Sequence, residues 1–249
     1  MKELSIITVV KNGESTIEKT IQNVIRQKTN VIEYIIIEGL SNDNTLEIIN
    51  KYKNEIDIIL SEHDRGLYNA MNKGISLASG KLIGILNSGD IFSNNLFEKI
   101  ISLNKKLKNK FIIHGNMHIV DGENKILKTL NKGNNIKLLR KSCVIAHPTS
   151  FIPKSIYDNV GLYDENFNIV ADYDFFVRAI LINKFNDHYL NEIFVYFLAG
   201  GVSDNTLKCI IENHEVRRKH GLNYYISLFD TLFLVFKLFI KKILKQNSW

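Results

Sequence analysis

Three stretches of this chain place acidic side chains where a strand or loop gives way to a new element, which is where an enzyme handling phosphates needs them. The first, Asn87-Ser88-Gly89-Asp90, follows the apolar run Leu82 to Leu86. A carboxylate at a strand's carboxyl end can hold a hard divalent cation, Mg2+ or Mn2+, that bridges the two phosphates of a nucleotide, and Gly89 lets backbone approach such a ligand. A lone Asp after a strand is also a common turn former or helix cap. The second, Ser61-Glu62-His63-Asp64-Arg65-Gly66-Leu67-Tyr68-Asn69-Ala70-Met71-Asn72-Lys73-Gly74, surrounds a helix start with two carboxylates, an Arg, a Lys and two Asn. That set offers directed contacts to ribose and diphosphate, with the positive end of the helix dipole behind them. A solvated helix entrance is the plainer alternative. The third, Val170-Ala171-Asp172-Tyr173-Asp174, opens a helical pattern. Its two acids project from different sides, so Asp174 suits a cap or an ion pair and Arg178 a structural pairing, while Asp172 could itself be an N-cap.

The elements that position these residues are legible mainly in the first hundred residues. Short apolar runs alternate with helical patterns, the signature of stacked βα units and a mostly parallel sheet. Strands are expected at Leu4 to Val10, Tyr34 to Ile37, Ile56 to Leu60 and Leu82 to Leu86, and helices from a capping box at Ser15-Thr16-Ile17-Glu18 to Gln27, from Thr45 to Tyr52, and from Leu67 to Leu77. Ligands of open α/β sheets bind outside the carboxyl ends of the strands, so the polar residues after Val10, Ile37, Leu60 and Leu86 should converge. The second half is less regular. It suggests a strand over Phe111 to Val120 and helices near Lys154 to Asn159, Tyr173 to Ile182, Leu207 to Lys219 and Tyr224 to Lys245, with Gly221 breaking the last two.

The chain has 249 residues, 45% of them hydrophobic and 23% charged, enough for one large α/β domain and unlike a disordered protein. The formal charge of +6 favours anionic partners. Nucleic acid is not expected among them, because basic and aromatic motifs are not interleaved. Cys143 and Cys209 lie far apart without CxxC spacing, which argues against a disulfide framework or a zinc site. His114 and His118 sit in a strand-like stretch interrupted by Gly115, a poor metal pair, and His214 and His220 are weak candidates for phosphate contact. The N-terminus reads as a first strand and lacks the features of an export signal, and no uncharged apolar run is long enough to span a bilayer. In the last expected helix Asp230, Lys237, Lys241 and Lys245 share one sector, and Leu232, Phe233, Val235, Phe236, Phe239, Ile240 and Ile243 fill the rest. Such a helix suits an anionic membrane interface, or packing on the core or a homodimer partner.

The blocks SIITVVKNGESTIEKTIQNVIRQ, IIIEGLSNDNT, SEHDRGLYNAMNKGISLASGKLIGILNSGD and AHPTSFIPKSIYDNVGLYDENFNIVADYDFFVRA resemble, in order, those of family 2 glycosyltransferases, over about residues 2 to 200. The nearest resemblance is to bacterial enzymes that build capsule, O-antigen (lipopolysaccharide) and exopolysaccharide repeats. It implies a GT-A fold, an α/β domain with a Rossmann-like, mixed and mostly parallel sheet, and inversion at the anomeric carbon. Residues 1–105 would form the nucleotide-sugar half, 106–205 the acceptor half of the same domain, and 206–249 a C-terminal extension of amphipathic helices.

Carried over by position, Thr8 and Val9 would touch the base. Glu38 would take the place of an acid, Asp in relatives, that contacts base or ribose, and Asp64, Asn72 and Ser88 would complete the nucleotide pocket. Asp90 matches the last, metal-binding carboxylate of the family's acidic cluster, whose other acidic positions are Asn and Gly here. Asp172 matches the catalytic base, with Ala171 replacing the acid often found before it. His147 lies in a block like the family's acceptor-side loop and would contact donor phosphate or acceptor, unless it is simply a satisfied structural histidine. The implied enzyme is a hexosyl- or N-acetylhexosaminyltransferase that uses a nucleotide diphosphate sugar, with UDP as the expected nucleotide, and Mg2+ or Mn2+. It would glycosylate a lipid-linked glycan or polysaccharide in the cytoplasm, peripherally at the inner face of the cell membrane. The thinned acidic cluster keeps an alternative open, a catalytically silent nucleotide-sugar-binding partner in an assembly complex.

Overall fold

The computed structural model describes residues 2–131, 135–200 and 206–222. Strands β1 (Leu4–Val10) and β2 (Ile32–Glu38) are buried at every residue, which is why they read as continuous apolar runs and not as alternating ones. β1 lies between β2 and β4 (Leu82–Asn87), and β3 (Ile58–Ser61) closes this edge, all four parallel. The parallel returns are made by helices α1 (Ile17–Gln27), α2 (Thr45–Lys51) and α3 (Leu67–Leu77). Register pairs Val10 with Glu38, Glu38 with Ser61, and Val9 with Asn87, so four strand ends stop level and their loops meet.

Beyond β4 the sheet turns mixed. A two-residue strand β5 (Ile91–Phe92) follows Asp90 directly, then α4 (Leu96–Lys106), a long β6 (Phe111–Val120), the hairpin partner β7 (Ile126–Leu130) and β8 (Phe151–Pro153). Helix α5 (Lys154–Val160) leads towards α6 (Ala171–Phe176), which runs on through a wider π-helical turn to Ile182, and β9 (Asn186–Leu198) and α7 (Thr206–Lys219) complete the described elements. The order across the sheet is β3-β2-β1-β4-β8-β6-β9-β5, with β7 paired to β6. β8 is antiparallel to β4, and β6 runs parallel to β9. Each face carries its own core. Ile7, Ile35, Ile37 and Ile85 pack under α3, α5 and α6, whereas Leu4, Ile6, Ile36 and Leu86 pack under α1, α2 and α4.

Two local expectations are corrected. The capping box at Ser15–Glu18 does not form. Helix α1 begins at Ile17, the Gly13 carbonyl takes the amides of Thr16 and Ile17 (2.9 Å each), and Glu18 accepts from the Tyr52 hydroxyl at 2.8 Å. A tertiary partner claims the Glu18 carboxylate, and the helix starts one residue later than a box capped by Ser15 requires. The third strand starts at Ile58 and not Ile56, because the Ile56 amide still belongs to the turn after α2, bonded to the Tyr52 carbonyl. The expected helix over 224–245 lies outside the described residues, among which no helix is long and apolar enough to cross a membrane.

Candidate active site

The loops after β1, β2 and β4 are stitched together by side chains that satisfy main-chain amides. The Asn12 amide donates to Ser41 Oγ (2.8 Å), that of Gly13 to Thr45 Oγ1 (2.8 Å) and that of Asn42 to Asn12 Oδ1 (2.9 Å). Thr16 Oγ1 and Ser88 Oγ share a hydrogen bond of 2.8 Å, which fixes the end of β4 to the start of α1. Main-chain polar groups held this way form a crevice edge that needs little reorganisation when a ligand arrives.

Within this edge the side chains of Thr8 and Val9 are buried. Thr8 accepts from the Tyr34 hydroxyl (3.2 Å), and Val9 packs in the core beneath α3. The two side chains are thus turned into the cores on opposite faces of the sheet, and the loop that follows β1, Lys11 to Gly13, edges the crevice. Glu38 is fully buried and accepts from the Ser41 amide (2.5 Å) and the Ser61 hydroxyl. Burial works to raise its pKa, but these donors outweigh it and hold the carboxyl below its ordinary range. Asp64 lies beside the next residue, Gly39. Its Oδ1 accepts from the Gly66 amide (3.0 Å), and a Cβ on Gly39 would stand 2.2 Å from its Oδ2, so a larger residue at position 39 would displace the Asp64 carboxylate.

Asp90 is 3% exposed. Its Oδ1 accepts from the Leu198 amide (3.0 Å), and Thr20 Oγ1 bridges the Gly89 amide and the Asp90 carbonyl. Burial pushes the carboxyl up to about 8. Asp90 Oδ2 and Asn87 Oδ1, two buried oxygens of one turn, have no hydrogen-bond partner among the described residues. Oxygen acceptors without donors suit a hard cation, and this pair is how the turn fits Mg2+ or Mn2+. No group of three or more His, Cys, Asp or Glu gathers as a metal cluster among the described residues, so phosphate and water oxygens would supply the remaining ligands.

Asp172 stands in the first turn of α6, half-buried, across from α3. Its Oδ1 accepts from its neighbour's amide, Tyr173 (2.9 Å), and from the Tyr68 hydroxyl (3.3 Å), which also donates to the Ile169 carbonyl (2.7 Å). Oδ2 has no hydrogen-bond partner among the described residues. Tyr68 lies two residues beyond Gly66, whose amide holds Asp64, so Asp172 is tied through Oδ1 to the helix start that borders the crevice. Burial, and then the Asp172 charge, push the Tyr68 hydroxyl well above its ordinary value and keep it a donor.

His147 is buried and bonded through Nε2 to the Tyr163 hydroxyl (2.8 Å), which meets the Tyr157 hydroxyl at 2.9 Å. Burial lowers its titration and keeps the ring neutral, although the Asp172 charge opposes that shift. Asn72, 6% exposed, has both amide hydrogens engaged, by the Tyr163 carbonyl (2.9 Å) and Glu165 (3.0 Å), and its oxygen accepts from the Tyr163 amide (3.0 Å). Asn72 therefore bounds the site by fixing Tyr163 and offers no free amide hydrogen to a ligand. Asp174, a turn inside α6, receives Arg178, Lys219 and His220, which places His220 in an ion-pair cluster.

A sequence model of the family described as Glycosyl transferase family 2 matches residues 5–166. The chain belongs to this family. It is similar to an uncharacterized glycosyltransferase of Mycobacterium tuberculosis (strain CDC 1551 / Oshkosh), at 30% identity over 182 residues that cover 72% of this chain and 69% of the relative. A PGL/p-HBAD biosynthesis glycosyltransferase of Mycobacterium bovis is 22% identical over 211 residues, covering 82% and 79%. Among solved structures, S. aureus TarS 1-349 in complex with UDP-GlcNAc superposes with a TM-score of 0.68 at 15% identity, over 86% of this chain and 66% of that one. Against a longer TarS chain the TM-score is 0.67 and this chain spans 39% of the neighbour. The fold is thus GT-A, as the sequence blocks implied.

This family 2 glycosyltransferase also relies on residues that the sequence did not single out. Glu165 receives Arg65 (2.7 Å), Asn69 and Asn72, joining the helix start of the second stretch to the loop before α6. Asn87 was visible only as the gap in an acidic pattern, and Tyr68 only as one aromatic among polar neighbours. Glu212, on α7, accepts amides from that same loop.

Proposed function

We propose that the chain transfers a sugar from a nucleotide diphosphate sugar, with UDP as the nucleotide, to a hydroxyl of a lipid-linked glycan or growing polysaccharide, inverting the anomeric carbon. The observation that carries this reading is Asp172, tied through Oδ1 to the helix start that follows Asp64, with Oδ2 unpartnered among the described residues. In the reaction Asp172 takes the acceptor hydroxyl's proton as that oxygen bonds to the anomeric carbon, and the sugar–phosphate bond breaks with its electron pair leaving on the nucleoside diphosphate. Tyr68 holds the base, and the stitched loops after β1, β2 and β4 hold the nucleotide, so alignment of two substrates is the chain's main contribution. Asp90 Oδ2 and Asn87 Oδ1 would hold a divalent ion, whose chemistry is to offset charge on the departing diphosphate. His147, neutral and next to the Asp172 charge, would border donor phosphate or acceptor. A UDP donor is supported by the resemblance to TarS, a protein solved with UDP-GlcNAc and with UDP. The basic balance and the apolar, basic C-terminal sequence support work at the inner face of a membrane.

The test incubates the chain with a panel of nucleotide sugars and Mn2+, with and without chelator, and measures free nucleoside diphosphate. Metal-dependent release from one donor, abolished in Asp172→Asn with nucleotide binding intact, is the expected result. Binding without release from any donor, with membrane lipid extract supplied as acceptor, would make the chain a silent binding partner.

A further inference from the structure

We infer that Glu212, on a helix outside the crevice, is the positioning residue for the catalytic base; this rests on Asp172 being that base. Glu212 is 5% exposed, and its carboxylate receives three consecutive main-chain amides. Oε2 accepts from Asn168 (3.1 Å), Ile169 (2.8 Å) and Val170 (3.3 Å), and Oε1 from Asn168 (3.3 Å). These are the residues immediately before α6. A helix start presents amides without partners inside the helix, and here a carboxylate from another helix covers those leading into it. From the opposite side the Ile169 carbonyl receives the Tyr68 hydroxyl. Residue 169 is therefore pinned through its amide by α7 and through its carbonyl by α3, and Asp172 follows three residues later.

The helix that delivers Glu212 is itself clasped to α6. Lys219 Nζ and His220 Nε2 each reach Asp174 Oδ1 at 2.8 Å, and Lys219 also reaches Asp164 at 2.8 Å. Glu212 and Lys219 are seven residues apart, roughly 10 Å along a helix. Helix α7 thus grips the start of α6 at two points, one just before Asp172 and one just after it. The side chain of Asp172 is held only through Oδ1, by its neighbour's amide and by a long 3.3 Å bond from the Tyr68 hydroxyl, and Oδ2 has no partner among the described residues. Its position follows from the segment that Glu212 fixes.

The test compares steady-state kinetics of wild type, Glu212→Gln, Tyr68→Phe and Asp172→Asn, with UDP affinity and melting temperature measured alongside. Glu212→Gln keeps the side chain's size but replaces one acceptor oxygen with a donor facing amides. Its kcat should fall about 10- to 100-fold, with donor KM and UDP affinity within about twofold of wild type. Tyr68→Phe removes both the Ile169 bond and the direct bond to Asp172, so its kcat should fall at least as far; Glu212→Asp, which keeps the charge but shortens the reach to the amides of 168–170, should show the kcat-only loss if Glu212→Gln does not fold. Wild-type kcat in Glu212→Gln overturns the inference, as does a loss of kcat, KM and UDP affinity together in step with melting temperature. Full activity in Asp172→Asn would instead remove the base assignment on which the inference stands.

Discussion

Gly74 lies inside α3, where helix propensity alone says that alanine is better by about 1 kcal/mol. The structure reverses that sign. A Cβ on Gly74 would stand 2.4 Å from Ile7 Cγ2 and 3.4 Å from Ile37 Cγ1. Carbon atoms in favourable contact are about 3.5–4.0 Å apart, so roughly 1 Å must be found. Ile7 cannot supply it. It is fully buried in β1 with strands paired on both sides, and its Cγ2 branches from Cβ and moves only if the side chain leaves its rotamer. The helix must lift instead. Overpacking of this kind costs about 1–3 kcal/mol, which offsets the propensity gain of about 1 kcal/mol and leaves Gly74→Ala less stable by up to about 2 kcal/mol. The assay is urea denaturation of wild type, Gly74→Ala, Ile7→Ala and the double variant. In the Ile7→Ala background the obstructing methyl is gone, and Gly74→Ala should change sign and stabilise by up to about 1 kcal/mol. Because α3 also carries Tyr68, the single variant should lose kcat as well. A Gly74→Ala protein at least as stable as wild type, with Ile7 intact, refutes the close-packing reasoning.

Asp174→Asn should destabilise by about 3–5 kcal/mol in urea denaturation, since a fully buried carboxylate is removed from Arg178, Lys219 and His220. Those donors outweigh burial and hold the Asp174 carboxyl below 3.8, so its contribution is complete above that value and is lost as pH falls through the lower folded one. Acid unfolding below about pH 4 should accordingly be blunted in the variant. Asp90 has the opposite sign. Its folded value near 8 exceeds 3.8, so the native state keeps a proton that the unfolded chain releases, and in chelator wild type should lose stability relative to Asp90→Asn as pH rises between these values. The slope is at most about 1.4 kcal/mol per pH unit. Mn2+ with UDP should reduce the wild-type slope and leave Asp90→Asn unchanged; equal slopes in chelator would show that Asp90 is not held protonated.

The sequence was most transparent where one physical signal dominated. β1 and β2 are buried throughout and announce themselves as apolar runs, and α3 was read to the residue because apolar spacing and the turn at Ser79-Gly80 agree. β9 was missed because its thirteen residues include Asp187, His188, Asn191 and Glu192 and are mostly half-buried, so neither a run nor an alternation stands out. β5 and β8 span two and three residues, too short for any periodicity. In the site, Asp172, Asp90 and Glu38 were reached through resemblance to family 2, and composition alone left each of them ambiguous. The residues that support them could not be reached that way. Glu212 acts on residue 169 from 43 positions away and Glu165 on Asn72 from 93, and no local spacing encodes such partnerships.

The bond between Asp90 and the Leu198 amide joins positions 108 residues apart. Chains are synthesised at about 5–20 residues per second, so on the order of 5–20 s separates the emergence of the acid from that of the strand that covers it. Until then Asp90 is a solvated, ionised carboxylate at the end of a half-built sheet. When β9 arrives, the acid must take up a proton or find a cation, so the unfavourable burial falls on one of the latest steps of folding. A nascent chain in a cell rich in divalent ions and nucleotides meets that step with its counter-charge already at hand.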